Sequence, residues 1–409
     1  MKSSEKMRKA AAVCLAALLL SLASCGAETS SSGKTAPVPG KENTPANTQS
    51  ALDEPETTVP AVTEAETEPE PIKIMPLPIT RVGENPDWGA DWNQAKVKKE
   101  AITEGLVKNG VYVGKTLGEE TWMFYQDSIE DFEGTNLYSA AQLKLIGASM
   151  QQRADFCKEN GMEFYLMLCP NKNVIYPELM PDGMEMGSSR RFDQVINYLK
   201  ENTTVKVIDV RDSLYAAKEA HPDEVLYYPY DTHWNNHGGF AAYQAAMDVM
   251  RKDFPSIVKH ERDEYQIDYF KSYFKDQLYY LGWYDTFEEK GPVYTMLNGK
   301  IGKCTWTDKS AAWGQFVHAF EDPFSGYSDS TSNAVFENPY AKDAPSIYIV
   351  HDSFFIALNS FFRDSFSGMS SHWSTYFGTN DILKYKPDIV LFECVEAMMD
   401  SAFGEKPLG

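Results

Sequence analysis

The chain has 409 residues, and its 59 acidic and 38 basic side chains give a formal net charge of −21. The acidic residues are spread along the whole chain, which argues against nucleic-acid binding, because that function requires basic patches. The six cysteines show no CxxC spacing, so the sequence indicates no disulfide framework. Cys169 and Cys394 lie in apolar runs, and we expect them to be buried as small apolar residues.

The first 25 residues have the pattern of a secretory signal peptide. Basic residues between Lys2 and Lys9 precede an apolar run, Ala10–Leu20, that is too short to span a membrane. Small residues then precede Cys25, as in the lipobox of bacterial lipoproteins. This pattern predicts cleavage and lipid modification at Cys25, and therefore an extracytoplasmic protein anchored to the cell membrane. The alternative is an ordinary signal peptide in which Cys25 has no special role.

Residues 26–71 have the composition of a disordered linker. Ser, Thr, Pro, Ala and Glu dominate this segment and aromatic residues are absent, so it cannot bury enough apolar surface to offset the entropy of ordering. The remaining residues, 72–409, are long enough for one α/β domain that carries an insertion. We expect the linker to act as a stalk that holds this domain away from the membrane.

Helix and strand patterns alternate in the first half of the domain. Ser139 and Gln142 form a capping-box pattern, which predicts a helix from there to about Lys158. The elements predicted next are a strand at 163–168, a helix at 188–200, a strand at 205–210 and a helix at 213–220. Residues 227–230 then lead into a polar segment, 231–239, and the apolar pattern predicts a helix over 240–252.

An aromatic-rich region from Tyr265 to about Lys342 interrupts this alternation and is expected to be irregular. A strand at 346–350, a helix at 354–362 and a strand at 388–392 follow. Continuous apolar strands separated by helices predict an α/β fold, in which a parallel sheet has helices on both faces. Ligands bind beyond the carboxyl ends of such strands, where three polar segments gather, around Asn171, Asp231–His237 and Ser353.

Ser353 directly follows a predicted buried strand and precedes a helix. A strand–turn–helix context exposes a serine hydroxyl, and the helix N-terminus offers backbone N–H groups to a developing oxyanion. This pattern is typical of a nucleophilic serine. The alternative is a serine that caps the helix.

Asp231 and His233 supply the residue types that a serine nucleophile needs. A neutral histidine can take the proton of the hydroxyl, and a carboxylate can fix the tautomer of the imidazole. Asp231 could instead cap the following helix, with His233 filling a polar gap. Asp231, His233 and His237 could also bind a metal ion, but the intervening Asn235 and the two glycines after His237 indicate a helix entry between the histidines. We therefore expect no metal and no cofactor.

Several motifs, in this order, resemble the alginate O-acetyltransferase AlgX/AlgJ family of SGNH hydrolase-like proteins and the related DHHW-like lipoproteins. The segment Asp231-Thr232-His233-Trp234-Asn235, followed by Gly238-Gly239, resembles the family's D-x-H-W-N signature. The other matching segments are Gly114-Lys115 with Trp122–Tyr125, Pro170–Lys172 with Tyr176–Glu178, Asp352–Phe354, and Lys386–Val390 with Glu393 and Glu396.

The resemblance implies a flavodoxin-like SGNH-hydrolase-type sheet with Ser353 as nucleophile, His233 as base and Asp231 as orienting carboxylate. It also implies O-acetylation of an exopolysaccharide or another cell-surface glycan. The acetyl group would come from a partner, a membrane-bound O-acyltransferase. The chain departs from the family pattern at His351, where relatives usually have glycine. An acetylesterase with the same residues and a non-catalytic glycan-binding lipoprotein are the alternative functions.

Further residues are candidates for contacts with the substrate. Asn171, Lys172 and Asn235 could donate to the oxyanion or to the glycan, and a role in loop structure is the alternative. The aromatic residues from Tyr265 to Tyr284 could stack on sugar rings or form a packed lid. Trp234 is expected to belong to the core.

Overall fold

The computed structural model describes residues 104–105, 107–272, 274–282, 287–307 and 334–404. The predicted signal peptide, Cys25 and the linker lie outside these residues. Within the described ranges, no helix is long and apolar enough to cross a membrane.

The described residues form twelve strands and ten α-helices, numbered in chain order. The strands are β1 (Val107–Lys108), β2 (Val111–Leu117), β3 (Glu120–Tyr125), β4 (Glu163–Cys169), β5 (Lys206–Asp209), β6 (Tyr265–Ser272), β7 (Glu289–Met296), β8 (Lys303–Thr307), β9 (Ala334–Glu337), β10 (Ser346–His351), β11 (Gly368–Trp373) and β12 (Ile389–Val395). The helices are α1 (Ile129–Glu133), α2 (Ala140–Glu159), α3 (Lys172–Ile175), α4 (Arg191–Asn202), α5 (Arg211–Ala220), α6 (Asn236–Met250), α7 (Asp276–Tyr280), α8 (Asn359–Ser365), α9 (Thr379–Tyr385) and α10 (Met399–Phe403).

A seven-stranded sheet with the order β5-β4-β12-β10-β11-β9-β8 forms the centre of the fold. The first five strands of that order pair in parallel. This confirms the α/β class. Two further strands extend the parallel part of the sheet, because β9 pairs antiparallel with β11, and β8 pairs antiparallel with β9. Both antiparallel strands come from the region that was expected to be irregular.

Both faces of the sheet are buried, as the continuous apolar strands predicted. In β4, Tyr165 and Met167 belong to one apolar cluster, whereas Phe164 and Leu166 belong to the other. Successive side chains of a strand point to opposite faces, so each face buries every second residue. Helices α5 and α6 contribute to the first cluster, and α2 and α4 contribute to the second. Each fully buried side chain of this size contributes about 1.5–3 kcal/mol, which makes the sheet a rigid support for the loops at its edge.

The capping box predicted for α2 is confirmed. Ser139 Oγ accepts the backbone N–H of Gln142 at 3.3 Å, and Gln142 Oε1 accepts the backbone N–H of Ser139 at 2.9 Å. Two other helix predictions were wrong in their bounds. Helix α6 begins at Asn236 rather than Phe240, and the segment after Ser353 is a 3₁₀ turn up to Ala357 followed by α8.

The aromatic-rich insertion is more regular than predicted. Strands β6 and β7 pair as an antiparallel ribbon, and α7 lies in the connection between them. Tyr265 is buried and packs against Phe240 and Phe361, whereas Tyr269 is 51 % exposed. The ribbon is therefore attached to the core through one of its tyrosines and presents another to solvent. Trp283 and Tyr284 lie outside the described residues.

Candidate active site

Ser353 begins the 3₁₀ turn that follows β10, at the carboxyl edge of the parallel strands. The preceding residue, Asp352, caps this turn. Its Oδ1 accepts the backbone N–H of Phe354 at 2.8 Å, and its Oδ2 accepts the backbone N–H of Val395 at 2.7 Å. The capping role therefore belongs to Asp352, which leaves the hydroxyl of Ser353 available for another partner.

That partner is His233. The Nε2 atom of His233 lies 2.6 Å from Ser353 Oγ, and its Nδ1 atom lies 2.6 Å from Asp231 Oδ1. A carboxylate only accepts hydrogen bonds, so the proton of the neutral imidazole is on Nδ1, and Nε2 accepts the serine hydroxyl. The side chain of His233 is 16 % exposed and that of Asp231 is 2 % exposed. Sequence reasoning named all three residues, and the structure brings them together in one hydrogen-bonded chain.

The charges around the hydrogen-bonded residues Asp231, His233 and Ser353 favour protonation of the imidazole. Burial lowers the pKa of His233, but the Asp231 carboxylate outweighs burial through its charge and its hydrogen bond, and the net shift is upward. Burial also raises the pKa of Asp231, but His233 and two backbone N–H groups outweigh it, so that pKa is lowered. Asp231 is therefore ionised at neutral pH and stabilises the imidazolium that forms when His233 takes a proton.

Asp231 and His233 do not follow a strand of the main sheet, contrary to the sequence-based expectation. Tyr227 and Trp234 form an isolated antiparallel bridge, and the loop between them carries both residues. The indole N–H of the buried Trp234 donates to the carbonyl of Phe354 at 2.7 Å. This bond ties the histidine loop to the serine turn, and it confirms that Trp234 belongs to the core.

The two glycines after His237 allow a close approach of α6 to its neighbours. A Cβ atom on Gly238 would lie 2.5 Å from the carbonyl oxygen of Leu226, and one on Gly239 would lie 2.5 Å from that of Ala357. Ala357 ends the 3₁₀ turn that Ser353 begins. The glycines therefore set the distance between the histidine loop and the serine turn.

The structure corrects the proposed role of Asn235. Its Oδ1 accepts the backbone N–H of His237 at 2.8 Å and caps α6, and its Nδ2 donates to the carbonyl of Val225 at 2.7 Å. Both polar groups of this buried amide are engaged, so Asn235 shapes the loop rather than contacting a substrate.

Lys172 is also a structural residue in this geometry. Its Nζ is buried and donates to the carbonyl oxygens of Tyr228, Pro229 and Asp231, at 3.0, 3.1 and 2.6 Å. Burial lowers the pKa of Lys172 to about 8, although the nearby Asp276 and Asp231 charges oppose that shift. Three carbonyl groups converging on one ammonium hold the backbone that leads into His233.

Asn171 differs from its neighbours, because its side-chain Nδ2 is buried and has no hydrogen-bond partner. Its backbone N–H donates to Glu396 at 3.1 Å, and Glu396 also accepts from Arg190 at 3.1 Å. Strand β12 lies between β4 and β10, so the segment after β4 and the serine turn are about 10 Å apart at the same edge. A buried amide donor without a partner suits a group that binds only when charge develops on a substrate.

Two residues at this site were missed by sequence reasoning. The rings of Phe274 and Phe354 lie 5.2 and 5.1 Å from the imidazole of His233, and the backbone N–H of Asp276 donates to Asp231 Oδ2 at 2.7 Å. Both missed residues come from the aromatic-rich insertion. No sequence signal could have found Asp276, because the contact uses its backbone and spans 45 positions.

In the structure, Asp276 rather than His237 lies close to Asp231 and His233. His237 lies away from His233 and instead bonds to the hydroxyl groups of Tyr294 and Tyr269, both at 2.8 Å. Potential ligand atoms of Asp231, His233 and Asp276 do lie within 4.8 Å of one another. In this geometry a proton on His233 Nδ1 already connects His233 with Asp231.

Three comparisons with known proteins bear on the chain. A family model described as an SGNH hydrolase-like domain of the acetyltransferase AlgX matches residues 116–272. This segment is similar to the SGNH hydrolase-like domain of that family. The matched segment includes Asp231 and His233 and ends before Ser353. A comparison with curated protein sequences gives no match.

Solved structures agree with this fold. A DHHW family protein from Eubacterium siraeum DSM 15702 is 19% identical and has a TM-score of 0.52, covering 75% of this chain and 99% of that one. PatB1 of Bacillus cereus, solved with a sulfonyl adduct, is 20% identical with a TM-score of 0.50, covering 68% and 94%. At these identities the likeness concerns the fold. This fold agrees with the SGNH hydrolase-like fold of the family model.

Proposed function

We propose that the protein transfers acetyl groups to hydroxyls of a cell-surface polysaccharide, with Ser353 as nucleophile, His233 as general base and Asp231 as orienting carboxylate. The observation that carries the proposal is the hydrogen-bonded chain from Ser353 Oγ through His233 to Asp231, with both contacts at 2.6 Å. The acetyltransferase family of the domain supports the type of group transferred.

The reaction has two halves. Ser353 Oγ attacks the carbonyl carbon of the acetyl donor, and its proton passes to His233 Nε2. The bond from the acetyl carbon to the donor then breaks, and His233 returns that proton to the leaving group. In the second half, a polysaccharide hydroxyl gives its proton to His233 and attacks the acetyl-serine ester, and Ser353 recovers the proton as it leaves. We assign the oxyanion of both tetrahedral intermediates to the amide of Asn171.

We further propose that the protein acts outside the cytoplasm, anchored by lipid on Cys25, and that a membrane-bound O-acyltransferase supplies the acetyl group. The signal-peptide pattern and the linker composition support this arrangement. A Cys25→Ala variant is expected to leave the membrane fraction. Unchanged membrane fractionation of that variant would contradict the anchor.

The proposed chemistry is tested with a chromogenic acetyl ester, with and without glycan oligomers. We expect release that the oligomers accelerate, acetyl groups on the sugar, and loss of both in Ser353→Ala. A release rate that does not depend on the oligomers would instead indicate an acetylesterase, in which water is the acceptor. Acetyl transfer that survives Ser353→Ala would refute the proposed nucleophile.

A matched control is available in the same sheet. Ser371 Oγ lies 2.8 Å from His351 Nε2, but both side chains are fully buried, so this second serine–histidine pair is closed to substrates. His351 Nδ1 donates to the carbonyl of Asp352 at 2.7 Å, and burial lowers the pKa of His351 to about 4. We expect Ser371→Ala to retain acetyl transfer, which separates the chemistry of Ser353 from general effects of losing a serine hydroxyl.

A further inference from the structure

Asp276, on the short helix α7 of the insertion, contacts the histidine loop at three points. Its backbone N–H donates to Asp231 Oδ2 at 2.7 Å. Its carboxylate accepts the hydroxyl of Thr232 at 2.5 Å and the backbone N–H of the same residue at 3.0 Å. Thr232 lies between Asp231 and His233, so these bonds fix the backbone that sets the angle between carboxylate and imidazole.

Helix α7 is itself held against this loop. The backbone N–H of Gln277 donates to the carbonyl of Tyr230 at 3.1 Å, and the side chain of Gln277 donates to Asp276 at 3.1 Å. Asp231 accepts from the two sides, since its Oδ1 bonds to His233 and its Oδ2 bonds to Asp276. The insertion therefore fixes the orienting carboxylate from the side opposite the histidine.

Charged groups among the described residues set the electrostatic environment of His233. The carboxylates of Asp231, Asp276 and Asp352 all favour the protonated imidazole. The buried cation Lys172 interacts with Asp276 and Asp231. Burial and the Asp231 charge raise the pKa of Asp276 to about 6, so it is ionised at neutral pH.

We propose that Asp276 is a positioning residue for the reaction, which orients Asp231 and His233 through its hydrogen bonds and adds a second negative charge beside the imidazole. The aromatic insertion then contributes to the active site, and Phe274 of the same segment also contacts the imidazole of His233. This inference rests on the proposed role of His233 as base.

The test measures how fast Ser353 reacts with phenylmethanesulfonyl fluoride as a function of pH. In this reaction an O–S bond forms and an S–F bond breaks, fluoride leaves, and His233 takes the serine proton. The rate follows the neutral form of His233 and needs neither the glycan nor the acetyl donor. Asp276→Asn removes the charge but keeps the shape, whereas Asp276→Ala removes the charge and the hydrogen bonds.

We expect Asp276→Asn to shift the acid limb of the rate profile to lower pH by about one unit. The reason is that a neighbouring negative charge raises the pKa of histidine, and this variant removes that charge. Asp276→Ala is expected to show the same shift and a plateau rate lower by about tenfold or more, since orientation is lost as well. Asp268→Asn is the control, because Asp268 lies in the same insertion and bonds to Gln266 at 2.7 Å. It is expected to match the wild type.

An acid limb that stays in place in Asp276→Asn would overturn the inference, even if Asp276→Ala fails to fold. If the plateau rate falls only in proportion to the melting temperature of the variant, Asp276 has a structural role and not a positioning role. Failure of the proposed function is recognised separately, because Ser353 would then not be sulfonylated in the wild type. In that case the imidazole titration of His233, followed by NMR in the wild type and in Asp276→Asn, still decides the inference.

Discussion

The carboxyl group of Glu393 accepts the backbone N–H of Asp352 at 3.1 Å, directly before the turn that Ser353 begins. Glu393 is 2 % exposed, and its other oxygen accepts the thiol of Cys169 at 3.1 Å. Burial raises the pKa of Glu393 well above its usual range, and the nearby Asp352 charge raises it further. Both effects favour the protonated form of the Glu393 carboxyl group, which lies next to the residue that caps the serine turn.

This relationship predicts that Glu393→Gln changes how stability depends on pH. The folded protein keeps a proton on Glu393, whereas the unfolded chain releases it above a pKa of about 4.3, so folded stability falls as pH rises from that value towards the raised pKa. Glutamine is neutral at every pH and lacks this loss. We expect the variant to lose less stability than the wild type as pH rises from mildly acidic to mildly alkaline values.

The measurement is the free energy of unfolding in urea at both pH values. Glu178→Gln serves as the control, since Glu178 is an exposed partner of Lys218. An equal change with pH in the wild type and in Glu393→Gln would show that Glu393 is ionised in the folded protein.

Asn171→Ala is expected to slow catalysis without weakening the fold. Its amide Nδ2 has no hydrogen-bond partner in the structure, so its removal breaks no existing bond. Loss of one oxyanion donor lowers kcat by about a hundredfold to a thousandfold. The measurement pairs kcat on an acetyl ester with the melting temperature. A large drop in melting temperature at unchanged kcat would assign Asn171 to loop structure instead.

Asp231→Asn is expected to lower the rate by about ten-thousandfold, because the amide favours the wrong tautomer of His233. The pH dependence changes as well. Asp231 contributes to raising the pKa of His233 above 6.5, so the wild-type rate falls as pH drops through a value above 6.5. In the variant, the residual rate should fall at a lower pH. A pH profile that keeps its wild-type midpoint would contradict the contact between the two residues.

Lys172→Met is expected to destabilise the fold. The carbonyl oxygen of Asp231 would lose its donor, and an unsatisfied buried group costs about 1–3 kcal/mol, whereas the carbonyls of Tyr228 and Pro229 keep backbone N–H donors. Lys218→Met is the matched control, because Lys218 also donates to a carbonyl, that of Ile175 at 2.7 Å, but is less buried. Equal unfolding free energies for the two variants would contradict a structural role for Lys172.

The sequence by itself predicted the fold class and the three residues at the centre of the candidate site. Buried parallel strands need near-continuous apolar residues, and this pattern is visible along 164–168, 347–350 and 389–392 without knowledge of the tertiary structure. A serine directly after such a strand must lie at the carboxyl edge of the sheet. The short spacing of Asp231 and His233 allowed one loop to deliver both groups to that edge.

Only the tertiary structure decided which other polar residues serve the site. Asn171, Lys172 and Asn235 have similar sequence contexts, but hydrogen bonds to carbonyl groups and helix N–H groups engage two of them and leave the amide of Asn171 without a partner. The same holds for Asp276, which reaches Asp231 through a backbone N–H that every non-proline residue carries. Contacts of this kind depend on where a distant segment packs, and local residue patterns carry no record of that position.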